Sequence, residues 1–325
     1  MPYQDELKAG ITAVKKAIRL CRNAESRLEK VSAIEKKDRT PVTLADLGSQ
    51  AVITTVLQSA FPVDPIVAEE TADSLRKNPD FGQQVLKLIQ CEERIDTLSK
   101  VIAVIDSAVH ETDFTGRFWT LDPIDGTKGF LRKDQYAVAL ALVQAGEVVL
   151  GVLGCPNFSV SPNSSLAGKG CIFHAVKGQG AWVQGLGDDI AQPVSVDTVT
   201  DTTQARFCES YEAAHASHDT HQRISAALGM TAPPVRIDSQ VKYAAVARGD
   251  ASIYLRIPKS KTYQEKIWDH AAGSIIVQEA GGRVTDFQGD AIDFSAGKLL
   301  NNFRGIVATN GHLHQKVLDA IAGVL

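Results

Sequence analysis

The chain lacks the features that mark several large protein classes. Its five cysteines, Cys21, Cys91, Cys155, Cys171 and Cys208, are odd in number and form no C-x-x-C pair, so the sequence spells neither a disulfide framework nor a zinc knuckle. They read as small buried apolar groups in a reducing, cytoplasmic setting. There is no basic excess: 34 Lys+Arg against 38 Asp+Glu leave a formal net charge of −4. That argues against a partner made of nucleic-acid polymer, whose phosphates call for strong positive charge, while a small anion can still meet a local basic cluster. The opening MPYQDELKAG is polar and acidic, unlike a secretory signal. The longest apolar stretch, 136–154, is broken by Gln144 and Glu147, so no membrane span is expected. Repeats and low-complexity tracts are also missing. What remains is an ordinary globular composition, 44% hydrophobic and 22% charged, long enough at 325 residues for two domains around a real core.

Leu7, Ile11, Val14, Ile18 and Cys21 recur at steps of four and three, one face of an amphipathic helix. A second helical pattern runs through Leu47, Ala51, Val52 and Val56, and Phe61-Pro62 ends it. Residues 66–68 predict a short buried strand tipped by Glu69-Glu70. Residues 118–121 predict another, stopping at Asp122-Pro123-Ile124-Asp125-Gly126-Thr127. The segment 71–115 reads as mostly helical, and 136–143 with 148–153 as a hairpin. The Ser-, Pro-, Asn- and Gly-rich stretch 156–170 marks a surface loop or boundary. Two parts are therefore expected, 1–160 and 161–325. Beyond it, helices are predicted near 218–228, 240–247, 268–280 and 312–321, among short strands. A hairpin implies antiparallel pairing, so the alternation points to mixed layers, an α+β fold and not a doubly wound parallel sheet.

Asp46, Glu69, Asp122, Asp125 and Asp269 each stand at the end of an apolar run, where the backbone is anchored and the carboxylate can face out of the core. Carboxylates brought together repel one another unless a cation lies between them. An all-oxygen donor set suits Mg²⁺, above all beside a phosphate. In the hexapeptide 122–127, Asp122 and Asp125 can grip a metal from either side of the Ile124 carbonyl, while Gly126 and Thr127 can offer N–H groups to an anion. Each feature also has a plainer reading. The hexapeptide fits a β-turn, Asp46 a first-turn acid favoured by the helix dipole, Glu69-Glu70 a solvated strand end, and Asp269 an N-cap. Lys242 and Arg256 fit solvated cations. His215, in the polar run AHASH, fits a surface residue, with His218 as its rival. The D-x-D-x-T signature of phosphoaspartate enzymes does not fit, because here the two acids are three positions apart with Ile124 between them.

Several stretches carry more than composition can. TPVTLADLGSQ (40–50), VAEE (67–70), WTLDPIDGTKGFLR (119–132) and KIWDHAAGSIIVQEAGG (266–282) resemble the lithium-sensitive, magnesium-dependent phosphomonoesterase superfamily of inositol monophosphatase, inositol polyphosphate 1-phosphatase and fructose-1,6-bisphosphatase. DGTKGFLRKDQYAVALAL (125–142) and IDSQVKYAAVARGDASIYLRIP (237–258) resemble its 3′(2′),5′-bisphosphate nucleotidase branch, which Lys128, Gly129, Phe130 and Arg132 set apart from the inositol monophosphatases. The likeness covers about 40–282 with the motifs in the family's order. It implies a layered α-β-α-β-α sandwich and removal of the 3′-phosphate from 3′-phosphoadenosine 5′-phosphate, with the 5′-phosphosulfate as a second substrate. By motif, two or three Mg²⁺ ions would be held by Glu69, Asp122, the Ile124 carbonyl, Asp125 and Asp269. Glu69 is chosen over Glu70 because the family's ligand is the first acid of G-E-E, although Ala68 stands where Gly is commoner. The resemblance assigns Asp46 and Thr127 to aligning a water and taking its proton, and Gly126 and Thr127 to the phosphate. It assigns His215, Ser239, Lys242 and Arg256 to the 5′-phosphate and nucleoside. The expected partner is a small nucleotide met by a monomer. An inositol polyphosphate 1-phosphatase or related sugar phosphatase, and a non-catalytic nucleotide sensor, stand as alternatives.

Overall fold

The computed structural model describes residues 2–26, 33–35, 41–108, 111–161, 170–188, 190–211, 218–258, 263–300 and 305–325. The chain opens with α1 (Gln4–Glu25), the strand pair β1 (Ala33–Glu35) and β2 (Pro41–Thr43), and α2 (Leu44–Ala60). After β3 (Ile66–Ala68) come α3 (Asp73–Lys77), α4 (Pro79–Ile89) and α5 (Leu98–Ser107). Then follow β4 (Arg117–Asp125), α6 (Thr127–Leu131), β5 (Ala137–Gln144), β6 (Glu147–Cys155), β7 (Cys171–Val176), β8 (Ala181–Gly185) and β9 (Gln192–Val194). The remainder is β10 (Phe207–Glu209), α7 (His218–Ala227), β11 (Val235–Arg236), α8 (Val241–Ala247), β12 (Ile253–Arg256), β13 (Glu265–Lys266), α9 (Ala271–Glu279), β14 (Arg283–Thr285), β15 (Leu299–Leu300), β16 (Ile306–Thr309) and α10 (His314–Val324).

Strands β3 to β9 form one seven-stranded sheet in sequence order; β3 and β4 are parallel and the remaining neighbours antiparallel. A second sheet has the order β11-β10-β12-β16-β14. Helices α1 and α2 cover one face of the large sheet, where Leu20, Leu47, Trp119, Leu140 and Val152 share a core. On its other face α8 and α9 lie between the two sheets, in a second core with Phe173, Tyr243 and Ile276. Helices α7 and α10 close the far side through Ile224, Val307 and Val317. The result is helix, sheet, helix, sheet, helix, the expected α+β sandwich. Among the described residues, no helix is long and apolar enough to cross a membrane.

The sheets do not change over at residue 160: β7, β8 and β9 still belong to the large sheet, and the second begins only at β10. The polar stretch 156–170 therefore links two neighbouring antiparallel strands, with Cys155 opposite Cys171. A second difference concerns β4, which runs on through Asp122 to Asp125 instead of stopping at Leu121. Asp122 pairs with Ala139 and Asp125 with Ala137, so Pro123 and Ile124 together oppose Val138. This is a bulge, placed where proline has no N–H to give the ladder. Residues three apart on a regular strand face opposite sides. The extra residue instead puts Asp122 and Asp125 on the face shared with Ala137 and Ala139, toward α8 and α9, while Leu121 and Ile124 pack under α1 and α2.

Candidate active site

Four segments converge at the bulge. The first is the start of α2. Its Thr43 N-cap and Asp46 form a capping box: the Thr43 hydroxyl accepts from the N–H groups of Ala45 and Asp46, and the Thr43 N–H donates to Asp46 Oδ2 at 2.8 Å. The same hydroxyl donates to Asp46 Oδ2 at 2.5 Å. Asp46 is thus both the first-turn acid of the plainer reading and a carboxylate aimed at the site, for the Thr127 hydroxyl lies 3.3 Å from Asp46 Oδ1. It also lies 3.4 Å from the Ile124 carbonyl. One hydroxyl proton serves one acceptor at a time, so both contacts are long.

The second segment is the tip of β3, where the Glu69 N–H donates to the Leu121 carbonyl and extends the parallel ladder. The third is β4. Asp122 is 2% exposed, and its Oδ1 accepts from the Ile124 N–H at 3.1 Å. Burial pushes its carboxyl well above the usual range, and the charges of Glu69, Asp125, Asp269 and Asp46 push it further. The five acids singled out in the sequence therefore act on one another here. Asp125 is pushed up to about 6 by burial, with Asp269 adding to the effect and Lys242 and Arg256 opposing it. The fourth segment is the short turn before α9. Burial raises the Asp269 carboxyl against the opposing pull of Arg256, whose Nη2 donates to Asp269 Oδ2 at 3.1 Å. Asp269 is not the cap of α9; it ends a 3₁₀ turn, Ile267–Asp269, and His270 takes the N-cap position.

Gly126 follows with φ +90°, and a Cβ there would stand 3.0 Å from Ser239 Cβ. That close approach explains the glycine: it lets the β4 end meet the Asp238-Ser239-Gln240 turn, in which Ser239 has φ 65°. The Gln240 N–H donates to Asp125 Oδ2 at 2.5 Å. Lys242 is 5% exposed; its ammonium donates to Ser210 Oγ at 3.0 Å, and burial lowers its pKa. Lys242 is thus a buried cation beside the acids, not a solvated one. Arg256 joins the site through Asp269, and its Nε pairs with Glu265 Oε2 at 2.8 Å. His215 lies outside the described residues.

The arrangement fits a hard divalent cation. Every candidate ligand is an oxygen, and Asp122 is buried among four further carboxylates, which a cation between them would relieve. Among the described residues, the group of three or more His, Cys, Asp or Glu side chains whose ligand atoms all lie within 4.8 Å of one another is a different one, Glu265, Asp269 and His270. There, however, Glu265 Oε2 already meets His270 Nε2 and the Arg256 guanidinium, so positive charge is present.

Several residues of this site escaped the sequence reading. Thr43 was legible as Thr-x-x-Asp, the spacing of a capping box. Arg132, noted only as a branch marker, pairs at 2.6 Å with Asp238 and ties α6 to the Ser239 turn. Gln50, Gln240 and Glu265 gave no signal, since their partners are backbone groups or side chains of other segments.

The fold is shared with solved structures: that of the Thermotoga maritima IMPase superimposes with a TM-score of 0.70 at 22% identity, covering 99% of this chain and 98% of that one. The model of the inositol monophosphatase family matches residues 3–324, and the chain belongs to that family. Among curated relatives, a 3′(2′),5′-bisphosphate nucleotidase of Oryza sativa is 46% identical over 98% of this chain and 94% of its own. One of Schizosaccharomyces pombe, carrying the same name, is 40% identical over 100% and 97%.

Proposed function

We propose that the chain is a Mg²⁺-dependent phosphatase that removes the 3′-phosphate of 3′-phosphoadenosine 5′-phosphate, giving AMP and inorganic phosphate, and that it also accepts the 5′-phosphosulfate. The observation that carries this is geometric: buried Asp122 lies on β4 where that strand meets α2, β3 and the 267–269 turn, the segments that bear Asp46, Glu69 and Asp269, and the Thr127 hydroxyl just beyond lies 3.3 Å from Asp46 Oδ1. The shared name of relatives at 46% and 40% identity over nearly the whole chain supports the substrate class.

In this reading Glu69, Asp122, the Ile124 carbonyl, Asp125 and Asp269 hold two or three Mg²⁺ ions. When bound, they supply positive charge that offsets the phosphoryl oxygens and makes water more acidic. The Thr127 hydroxyl accepts a hydrogen bond from the attacking water and passes its own proton to Asp46 Oδ1, 3.3 Å away. The water oxygen bonds to phosphorus as the bond to the ribose 3′-oxygen breaks; that oxygen takes a proton from a solvent water, and Asp46 gives the proton it received back to solvent, so that the net change is the addition of one water. The Gly126 and Thr127 N–H groups orient the phosphoryl oxygens. Ser239, Lys242 and Arg256, with His215, bind the 5′-phosphate and nucleoside. Metal ligands other than Asp269 thus come from the chain up to the end of β4, and the contacts to the 5′-phosphate and nucleoside from the chain after β9.

The test is phosphate release from a panel of 3′-phosphonucleotides and inositol phosphates, with and without Mg²⁺. The expected result is turnover of adenosine 3′,5′-bisphosphate far above that of inositol 1,4-bisphosphate, and none without a divalent cation. Preference for the inositol phosphate overturns the substrate. Release at background with Mg²⁺ saturating overturns the enzyme.

A further inference from the structure

The acids that form the cluster come from segments far apart in the chain, and mutual repulsion makes their ionised forms costly to hold together when no cation is bound. Something other than the acids must hold the segments in place. Two buried glutamines meet that need. Gln50 is fully buried on α2, four residues after Asp46 and so on the same helix face. Its Nε2 donates to the Glu70 carbonyl at 2.8 Å, and its Oε1 accepts from the Glu70 N–H at 2.9 Å. Both polar groups of one residue are taken by a single side-chain amide, as a neighbouring strand would take them. The residue so fixed is the one after Glu69.

Gln240 is 2% exposed and does the same for the other half of the cluster. Its Nε2 donates to the Trp268 carbonyl at 2.9 Å, and its Oε1 accepts from the Gly273 N–H at 3.3 Å. These groups bracket Asp269. The Gln240 main-chain N–H meanwhile donates to Asp125 Oδ2 at 2.5 Å. One residue therefore links the Asp125 carboxylate to the turn that carries Asp269.

We propose that Gln50 and Gln240 are positioning residues that set the spacing of the acidic cluster: Gln50 fixes Glu69 relative to Asp46, and Gln240 fixes Asp269 relative to Asp125. An uncharged amide suits the task. It donates and accepts at once, and adds no charge next to five carboxylates. The proposal rests on the cluster being a cation site.

The experiment compares wild type with Gln50→Met, Gln240→Met and a control, Gln184→Met. Gln184 is also buried, 6% exposed, and its amide donates to the Asp188 carbonyl in the turn after β8. Mg²⁺ affinity is measured by titration calorimetry, and thermal midpoints are taken without metal. The two site variants are expected to bind Mg²⁺ about tenfold more weakly, the loss of one good hydrogen bond. They should need correspondingly more Mg²⁺ for half-maximal turnover, with the substrate KM at saturating Mg²⁺ within about twofold of wild type. The control should keep wild-type affinity. Lower midpoints with unchanged Mg²⁺ affinity would reduce both glutamines to ordinary structural residues and overturn the proposal. If a methionine variant does not fold, the asparagine variant, one methylene short of both partners, carries the same expectation. Absence of Mg²⁺ binding by wild type would instead sink the cation site itself, so the two failures are distinguishable.

Discussion

At the scale of single residues, Asp46 caps α2, and the proposed mechanism gives it a second job that asks something different of its carboxylate. As a capping residue it needs only an acceptor for the Thr43 N–H, which an asparagine oxygen also provides. As a proton acceptor for Thr127 it needs a basic oxygen, which asparagine lacks. Asp46→Asn is therefore expected to fold and to keep KM, while kcat falls by about 10²- to 10⁴-fold; steady-state kinetics at saturating Mg²⁺ decide it, and near-wild-type kcat would remove Asp46 from proton transfer. Lys242 makes the converse case. It is buried with its ammonium next to Ser210 and within the field of Asp125, and the proposed function gives it a part in binding and none in the chemistry. Lys242→Met should raise KM for the nucleotide by roughly 10- to 100-fold, the worth of a hydrogen bond to a charged group, and change kcat much less. An unchanged KM would free Lys242 from substrate contact. The acids were legible in the sequence because a carboxylate is unusual at the end of an apolar run, whereas Lys242 stood out only through the family resemblance. The environment that turns Lys242 from a solvated charge into a buried one was not, because Ser210, Tyr254 and Asp125 reach it from three other segments.

Elements decide whether those residues meet. Helix α2 is buried over most of its length, so its register is fixed by packing, but its first turn is fixed by the cap. Thr43→Val keeps the shape and removes both the acceptor for the Ala45 and Asp46 N–H groups and the donor to Asp46 Oδ2. A loss of about 1–2 kcal/mol of unfolding free energy is expected, read as a lower denaturant midpoint at unchanged m-value, and turnover should fall because Asp46, which keeps the main-chain N–H of residue 43 but loses the hydroxyl, is held less firmly toward Thr127. Thr43→Ser should restore both; failure to do so would mean that the methyl group, not the hydroxyl, supports the turn. Helical periodicity made α1 and α2 legible, and two β-rich runs either side of a short link did the same for the β5–β6 hairpin, although both faces of that hairpin are buried. The bulge in β4 was not legible. Asp-Pro-Ile-Asp-Gly has the local chemistry of a turn, and it stays extended only because β5 continues to pair with it at Ala137 and Ala139. For the same reason the run 156–170 looked like a boundary: its composition is that of a surface loop, and only the pairing of Cys155 with Cys171 reveals that it joins two strands of one sheet. Two-residue strands such as β13 and β15 exist through each other alone.

Across the whole molecule, two sets of buried titratable groups pull stability in opposite directions over one pH range. His174 and His314 are buried, and burial lowers both to about 4 from an ordinary value near 6.5. His314 is held between the Thr285 and Thr309 hydroxyls at 2.8 and 2.9 Å. The unfolded chain binds protons at these positions more readily than the folded one, so their contribution is present above about pH 6.5 and is lost as the pH falls toward 4. The acidic cluster has the opposite sign. Asp122, Asp125 and Asp269 are raised in the folded state, Asp125 to about 6, so without metal the folded protein holds protons that the unfolded chain releases. Their contribution is present at acid pH and is lost as the pH rises through their raised folded values, about 6 for Asp125. Without divalent cation the two slopes oppose each other between pH 4 and 6.5, and the thermal midpoint should vary little there. Saturating Mg²⁺ requires the carboxylates ionised and binds only the folded state, which removes the cluster's slope and leaves that of the histidines. The rise in midpoint on adding Mg²⁺ should therefore be small near pH 5, grow as the pH passes 6 and level off by about 8. A rise of the same size at every pH would show that Mg²⁺ does not bind at the raised carboxylates.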